Sequence, residues 1–209
     1  MKTKKIVAIF DFDGTLIKGD SLPRFLLYYT TPLVFIRKSL YMATVLLKYA
    51  FRLADSHTAK EQIFIIFFAG EDKLRFVEKA KSFSISVIPA LVRKEAMQKL
   101  KWHQEQKHDC ILVSASIEEY LNPWAKSIGF VKVLATKMET DSNGNITGKF
   151  SGRNCNGDEK LRRVKSHFNP LTEYEIYVYG DSHGDKELLK IADHPFFKSF
   201  KEERRYPHG

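Results

Sequence analysis

Two carboxylates stand two residues apart in Asp11-Phe12-Asp13-Gly14-Thr15-Leu16, directly after the apolar run Ile6 to Phe10. Side chains alternate along an extended strand, so Asp11 and Asp13 can share one site while Phe12 faces a core, and Gly14 allows a tight turn. A carboxylate is already ionised at neutral pH and can attack as a nucleophile, while a second one beside it can move protons. The same Asp-x-Asp-Gly spacing also opens calcium loops. Those need further oxygen ligands and a Glu at the twelfth position, and Leu16-Ile17-Lys18 does not begin to supply them.

The elements around this pair repeat a pattern. Ile6 to Phe10, Cys110 to Val113 and Glu175 to Tyr179 are short apolar, β-rich runs, and each ends in a polar loop: Asp11 to Thr15, Ser114-Ala115-Ser116 and Gly180-Asp181-Ser182. Helical periodicity is expected over Ala90 to Lys107, Ile117 to Ile128 and Asp158 to Phe168. The alternation predicts a Rossmann-like, doubly wound, mostly parallel α/β sheet with ligands beyond the carboxyl ends of its strands, where the three loops converge. Val131 to Thr136 and Ile146 to Phe150 flank Asn143-Gly144, a turn signal that predicts a β-hairpin at one side of the sheet.

Residues 20 to about 85 lack the strand-then-loop pattern and read as helices over Ser21 to Tyr29, Leu33 to Leu53, Thr58 to Phe68 and Asp72 to Phe83. The expected organisation is therefore an α/β core of residues 1–17 and 86–209 with a helical insertion at 18–85. Arg37, Lys38, Lys48 and Arg52 interrupt the most apolar of these helices, leaving no stretch near the ~20 residues that spanning a bilayer requires.

The 209 residues suit one domain with an insertion, and a chain 44% hydrophobic and 28% charged is globular rather than disordered. A net charge of +9 favours anionic partners, but there is no basic-aromatic RNA motif, so nucleic acid is not expected. Cys110 and Cys155 show neither disulfide nor zinc spacing, which fits a reducing cytoplasm. The basic start, Met1 to Lys5, runs into an apolar stretch stopped at once by Asp11, and so reads as a strand and not an export signal. Lys201 to Gly209 reads as a surface tail.

Taken in order, DFDGTL, a strand ending in Val-Ser-Ala-Ser, Gly-Asp-Glu-Lys and Gly-Asp-Ser-His-Gly-Asp resemble the four motifs of the haloacid dehalogenase superfamily. The helical insertion resembles its C1 cap, and the Cys155 to Lys160 stretch resembles its phosphoserine-phosphatase-like branch. The resemblance implies a Mg²⁺-dependent phosphomonoester phosphatase. Asp11 would be the nucleophile that becomes phosphorylated, and Asp13 the acid and base. Lys160 would supply positive charge at the transferring phosphoryl group, which Gly14, Thr15, Ser114 and Ala115 would bind. Asp11, the Asp13 backbone carbonyl and Asp181 would hold the metal, with Ser182 and Asp185 in support. A helix-cap role for Asp185, and likewise for Ser116, stays open.

In this family the cap chooses the substrate. Asp20 stands where phosphoserine phosphatases carry a longer Glu, which speaks against phosphoserine itself; a helix-start role for Asp20 is the alternative. Aromatic and basic residues are interspersed from Arg24 to Arg52, as suits an anionic membrane interface, and the cap is similar to those of phosphatases that work on lipid head groups. Helical spacing of the same residues equally describes a bundle core. The expected substrate is thus a small metabolite or a phospholipid head-group phosphate, with peripheral contact at the inner membrane surface in the second case; a phosphoserine phosphatase proper is the alternative. The rival reading is a non-enzymatic basic protein that binds anionic membrane or nucleic acid.

Overall fold

The computed structural model describes residues 4–53 and 55–200; Met1 to Thr3 and the tail from Lys201 lie outside them. In chain order, β1 (Lys5–Phe10) leads into α1 (Ser21–Tyr29), α2 (Pro32–Ala50), α3 (Ser56–Phe68), α4 (Lys73–Ser86), α5 (Ile88–Leu91) and α6 (Lys94–Glu105). Then come β2 (Asp109–Ile117), α7 (Glu118–Ser127), β3 (Lys132–Thr136), β4 (Met138–Thr140) and β5 (Ile146–Phe150). α8 (Asp158–His167), β6 (Tyr174–Gly180), α9 (Lys186–Ile191) and β7 (His194–Phe197) follow.

Five strands form a wholly parallel sheet in the order β3-β2-β1-β6-β7. Alternate residues of β1 serve two cores. Ala8 and Phe10 join Leu112 and Tyr179 on one face, while Val7 and Ile9 join Ile111, Val113 and Val178 on the other. Burial on both faces is why these strands read as continuous apolar runs. The chain leaves β1 with β2 on one side and β6 on the other, so the order reverses at β1 and opens a crevice at its carboxyl end. Phe10 pairs with Leu112 and with Tyr179, which sets Asp11, Val113 and Gly180 level at that edge.

The helices α1, α3 and α4 start on side-chain caps, with Asp20, Asp55 and Asp72 accepting from the N–H groups of Leu22, Thr58 and Arg75. Their core is aromatic. Phe25 lies 5.1–5.9 Å, ring centre to ring centre, from Tyr29, Phe68, Phe76, Phe83 and Tyr120. Tyr120 belongs to α7, so the inserted helices share one core with the α/β part. The two ends of the insertion are laced together, Lys18 N–H donating to Leu91 O and Arg93 N–H to Leu16 O, each at 2.9 Å.

Two local expectations are corrected. The helix expected from Ala90 begins at Lys94, because the extended stretch at Val92 and Arg93 uses its backbone groups to pair with Leu16 to Lys18. The hairpin does turn at Asn143-Gly144, but its arms are β4 and β5; Val131 to Thr136 instead supplies β3, an edge strand of the main sheet. The hairpin packs on the insertion. Phe150 N–H donates to Glu61 at 2.7 Å, and a Cβ at Gly148 would fall 2.5 Å from the Ile65 Cα.

Candidate active site

The β1 strand delivers Asp11 to the crevice 7% exposed, with its N–H donating to Tyr179 O at 2.9 Å. Lys160, from the first turn of α8, reaches the same point almost wholly buried. Its ammonium donates to Asp11 Oδ1 at 2.5 Å and to Asp185 Oδ1 at 2.6 Å. The other oxygen of Asp185 accepts from the N–H groups of Asp181 and Ser182, at 3.2 and 3.1 Å, and from Ser182 Oγ at 2.9 Å. Asp185 therefore does not cap α9 with its side chain; it holds Lys160 and braces the Asp181 loop. Gly157 N–H donates to Gly184 O at 3.1 Å, which fastens the loop before Lys160 to the loop before Asp185.

Carboxylate oxygens of Asp11, Asp181 and Asp185 lie within 4.8 Å of one another. An all-oxygen set of this kind suits a hard divalent cation. The backbone is shaped to match. Gly14 has φ +73°, and a Cβ there would fall 2.1 Å from Asp181 Oδ2, so only glycine leaves room for that carboxylate. Thr15 Oγ1 donates to Asp181 Oδ1 at 3.2 Å, and Arg93 donates to Gly14 O at 2.8 Å.

The Asp13 side chain is tied to the first inserted helix and to β2. Its Oδ1 accepts from Ser21 N–H at 2.7 Å and its Oδ2 from Ser116 Oγ at 2.5 Å. Ser21 Oγ in turn meets Ser116 Oγ and Tyr120 OH, at 3.0 and 2.9 Å. Asp13 is thus held between the first inserted helix and the end of β2. Ser114 is buried and accepts from Ser116 N–H at 3.0 Å. β2 continues to Ile117 before α7 starts, so Ser114 and Ala115 sit in an irregular strand end rather than in the first turn of a helix.

Burial governs the electrostatics. It raises the Asp11 carboxyl above its ordinary value, against the lowering by Lys160, with Asp185 adding to the rise. Asp13 and Asp181 are raised for the same first reason, with Asp20 contributing at Asp13 and Asp185 at Asp181. For Lys160, burial opposes the charged form, but Asp11 and Asp185 outweigh it and hold the ammonium above its ordinary value. The stable arrangement is a charged lysine between carboxylates that crowd one another, a pocket with an unmet demand for positive charge.

Asp20 lies at the rim, exposed, its Oδ1 on Leu22 N–H at 2.8 Å: it caps α1. Ser21, Tyr120, Arg93 and Lys60 are site residues that the sequence motifs do not mark. Lys60 projects from α3, and its ammonium donates to Ala115 O at 2.8 Å. Loss of water lowers its pKa, and Asp13 and Asp20 work against that lowering. A lysine in a helix of a basic chain carries no sequence signal for such a position; only the packing of α3 over the end of β2 gives it one.

The haloacid dehalogenase-like hydrolase family matches residues 8–190. The chain belongs to that family. Among its relatives, Protein CicA of Caulobacter vibrioides is 28% identical over 206 residues, 96% of this chain and 89% of that protein. A histidinol-phosphatase of Neisseria meningitidis is 25% identical over 203 residues, covering 91% and 89%. Among the solved structures that share the fold are two with high coverage of both chains. One is a Bordetella pertussis protein of unknown function, with TM-score 0.79, 24% identity and coverage of 92% and 89%. The other is a substrate-bound phosphoserine phosphatase complex, with TM-score 0.62, 14% identity and coverage of 97% and 94%. This haloacid dehalogenase-like chain is an enzyme, a phosphatase, and the rival reading as a non-enzymatic basic protein is set aside.

Proposed function

We propose that this hydrolase cleaves phosphomonoesters with Mg²⁺ through an aspartyl-phosphate on Asp11, and that residues 18–85 act as the cap over the site. The observation that carries the reading is the buried contact of Lys160 with Asp11 and Asp185 beside the Asp181 carboxylate. Asp11 and Asp181 would hold the cation, together with the Asp13 carbonyl, since the Asp185 oxygens are engaged. The bound ion would supply the positive charge that lets the carboxylate approach an anionic phosphoryl group. Lys160 adds a fixed charge where negative charge builds up. A carboxylate is a competent nucleophile without a base, and the covalent intermediate divides hydrolysis into two steps. Asp13, raised by burial, can give a proton to the leaving oxygen and then take one from water. Its bonds to Ser21 and Ser116 keep it aimed between cap and core.

The substrate is a small metabolite phosphate or a phospholipid head-group phosphate. Lys60, held by a carbonyl oxygen, supports a further anionic group on that substrate, and the exposed, helix-capping position of Asp20 speaks against phosphoserine proper. The relative named histidinol-phosphatase makes a soluble amino-alcohol phosphate one arm of the test. The experiment is phosphate release from soluble and lipid phosphomonoesters with Mg²⁺ and with a chelator. Turnover that persists under chelation, or in Asp11→Asn, would sink the mechanism.

A further inference from the structure

Helix α2 is apolar on both faces but packed on one only. Phe35, Met42 and Val45 turn inward, and Lys38 clamps the helix to α3 by donating to Phe67 O at 2.8 Å. Val45 is the one buried residue of the 19 in this helix. On the opposite side Leu33, Ile36, Leu40, Leu47 and Phe51 fall within about 60° of arc, and they are 79, 62, 71, 57 and 72% exposed. Most of the large exposed apolar side chains among the described residues lie between Leu27 and Leu53. Apolar surface gathered this way on a soluble fold marks a contact face.

We propose that this stripe is a docking face for an anionic lipid bilayer, lying in the head-group region with its axis along the surface. Charge selects the occupant. No Asp or Glu occurs between Asp20 and Asp55, while Arg37 and Lys48 flank the stripe along one edge and Arg24 and Arg52 add to the same segment. Cations bordering an apolar stripe are the arrangement that anionic head groups and acyl chains satisfy together. A second copy of the chain fits less well. Antiparallel pairing of two α2 helices about their middle would bring Arg37 beside Lys48 with no carboxylate between them, a like-charge contact. Spanning is not the answer either, because no helix among the described residues is long and apolar enough to cross a membrane. Tyr41, exposed on the edge that carries Arg37 and Lys48, has the amphipathic ring that favours the interfacial layer.

Docking through α2 stands apart from the choice of substrate. It is tested by sedimenting the whole chain with vesicles of phosphatidylglycerol plus phosphatidylcholine, and of phosphatidylcholine alone, at about 0.05 M and about 0.5 M salt. The chain should pellet with the anionic vesicles and release as salt rises. Arg37→Gln with Lys48→Gln should weaken anionic binding about 25-fold, at about fivefold for each cation. Leu40→Asp with Leu47→Asp, both at exposed positions, should abolish binding while circular dichroism stays unchanged, and Ile36→Ser with Leu47→Ser gives a milder pair with the same expected direction. Failure to bind anionic vesicles at low salt overturns the proposal, as does binding that none of these variants alters. A lipid-free dimer that Leu40→Asp with Leu47→Asp dissociates would assign the stripe to a second copy and overturn it equally.

Discussion

Replacing Gly14 by alanine would separate the architecture of the cation site from the stability of the fold. Gly14 has φ +73°, and its added Cβ would lie 2.1 Å from Asp181 Oδ2 and 2.6 Å from Asp181 Cγ. The left-handed backbone costs alanine about 1 kcal/mol relative to glycine. The clash is with the end of a side chain, so Asp181 can rotate away and give up its 3.2 Å bond from Thr15, a loss of about 1 kcal/mol. The fold should therefore survive, weakened by about 2 kcal/mol, while the carboxylate leaves the cluster with Asp11 and Asp185. Gly19 is a matched control, because it has φ +76° with nothing within 4 Å of its Cβ position. Gly19→Ala should incur the backbone term alone. Thermal unfolding and Mg²⁺-dependence of turnover, measured on both variants, isolate the displaced ligand. Gly14→Ala should lose about 100-fold or more in kcat/KM and require more Mg²⁺, since even groups that only support a metal ligand are worth about 10–100-fold. Equal activity and equal Mg²⁺ demand in the two variants would refute the assignment of Asp181 to the metal.

Asp11→Asn should fold and lose turnover, whereas Asp13→Asn should lose turnover with a smaller change in Mg²⁺ affinity, because the Asp13 side chain bonds Ser21 and Ser116; equal loss of metal affinity, by calorimetric titration, would contradict that division. Lys60→Met should raise KM for substrates with a second anionic group more than it lowers kcat, and an unchanged KM across a substrate panel would remove Lys60 from recognition. Glu159 is held down to about 2, first by its hydrogen bond from Arg162, against burial and with help from Arg163. A depressed carboxyl contributes stability that is present above its ordinary pKa of 4.5 and lost as pH falls toward 2. Because Arg162 is largely exposed, about 1–2 kcal/mol is expected after screening. The gap in unfolding temperature between the natural chain and Glu159→Gln should close from about pH 5 to about pH 3; a gap independent of pH would show that the pairing contributes nothing.

Much of this site is legible in the order of residues along the chain. Asp11, Ser114 and Asp181 each follow an apolar run, and parallel strands buried on both faces must present their carboxyl ends together, so convergence is implicit in the order of elements. Composition and charge also lead to the reading of residues 18–85 as helices without a bilayer-length apolar stretch, and no helix among the described residues is long and apolar enough to cross a membrane. What the linear pattern leaves open is direction. Strand alternation lets Asp13 face the site with Asp11, but that Ser21 and Ser116 are the groups that hold its carboxylate is set only by the fold. Val131 to Thr136 has the composition of a hairpin arm, and only competition for the open edge of β2 makes it β3. Lys60 is far from every motif in sequence, and it reaches the site because aromatic packing seats the inserted helices on α7. The apolar residues of α2 all have the same helical spacing, which cannot distinguish a buried face from an exposed one. Which side of that helix meets α3 depends on contacts between distant segments, so burial, and with it the candidate membrane face, is decided by tertiary structure alone.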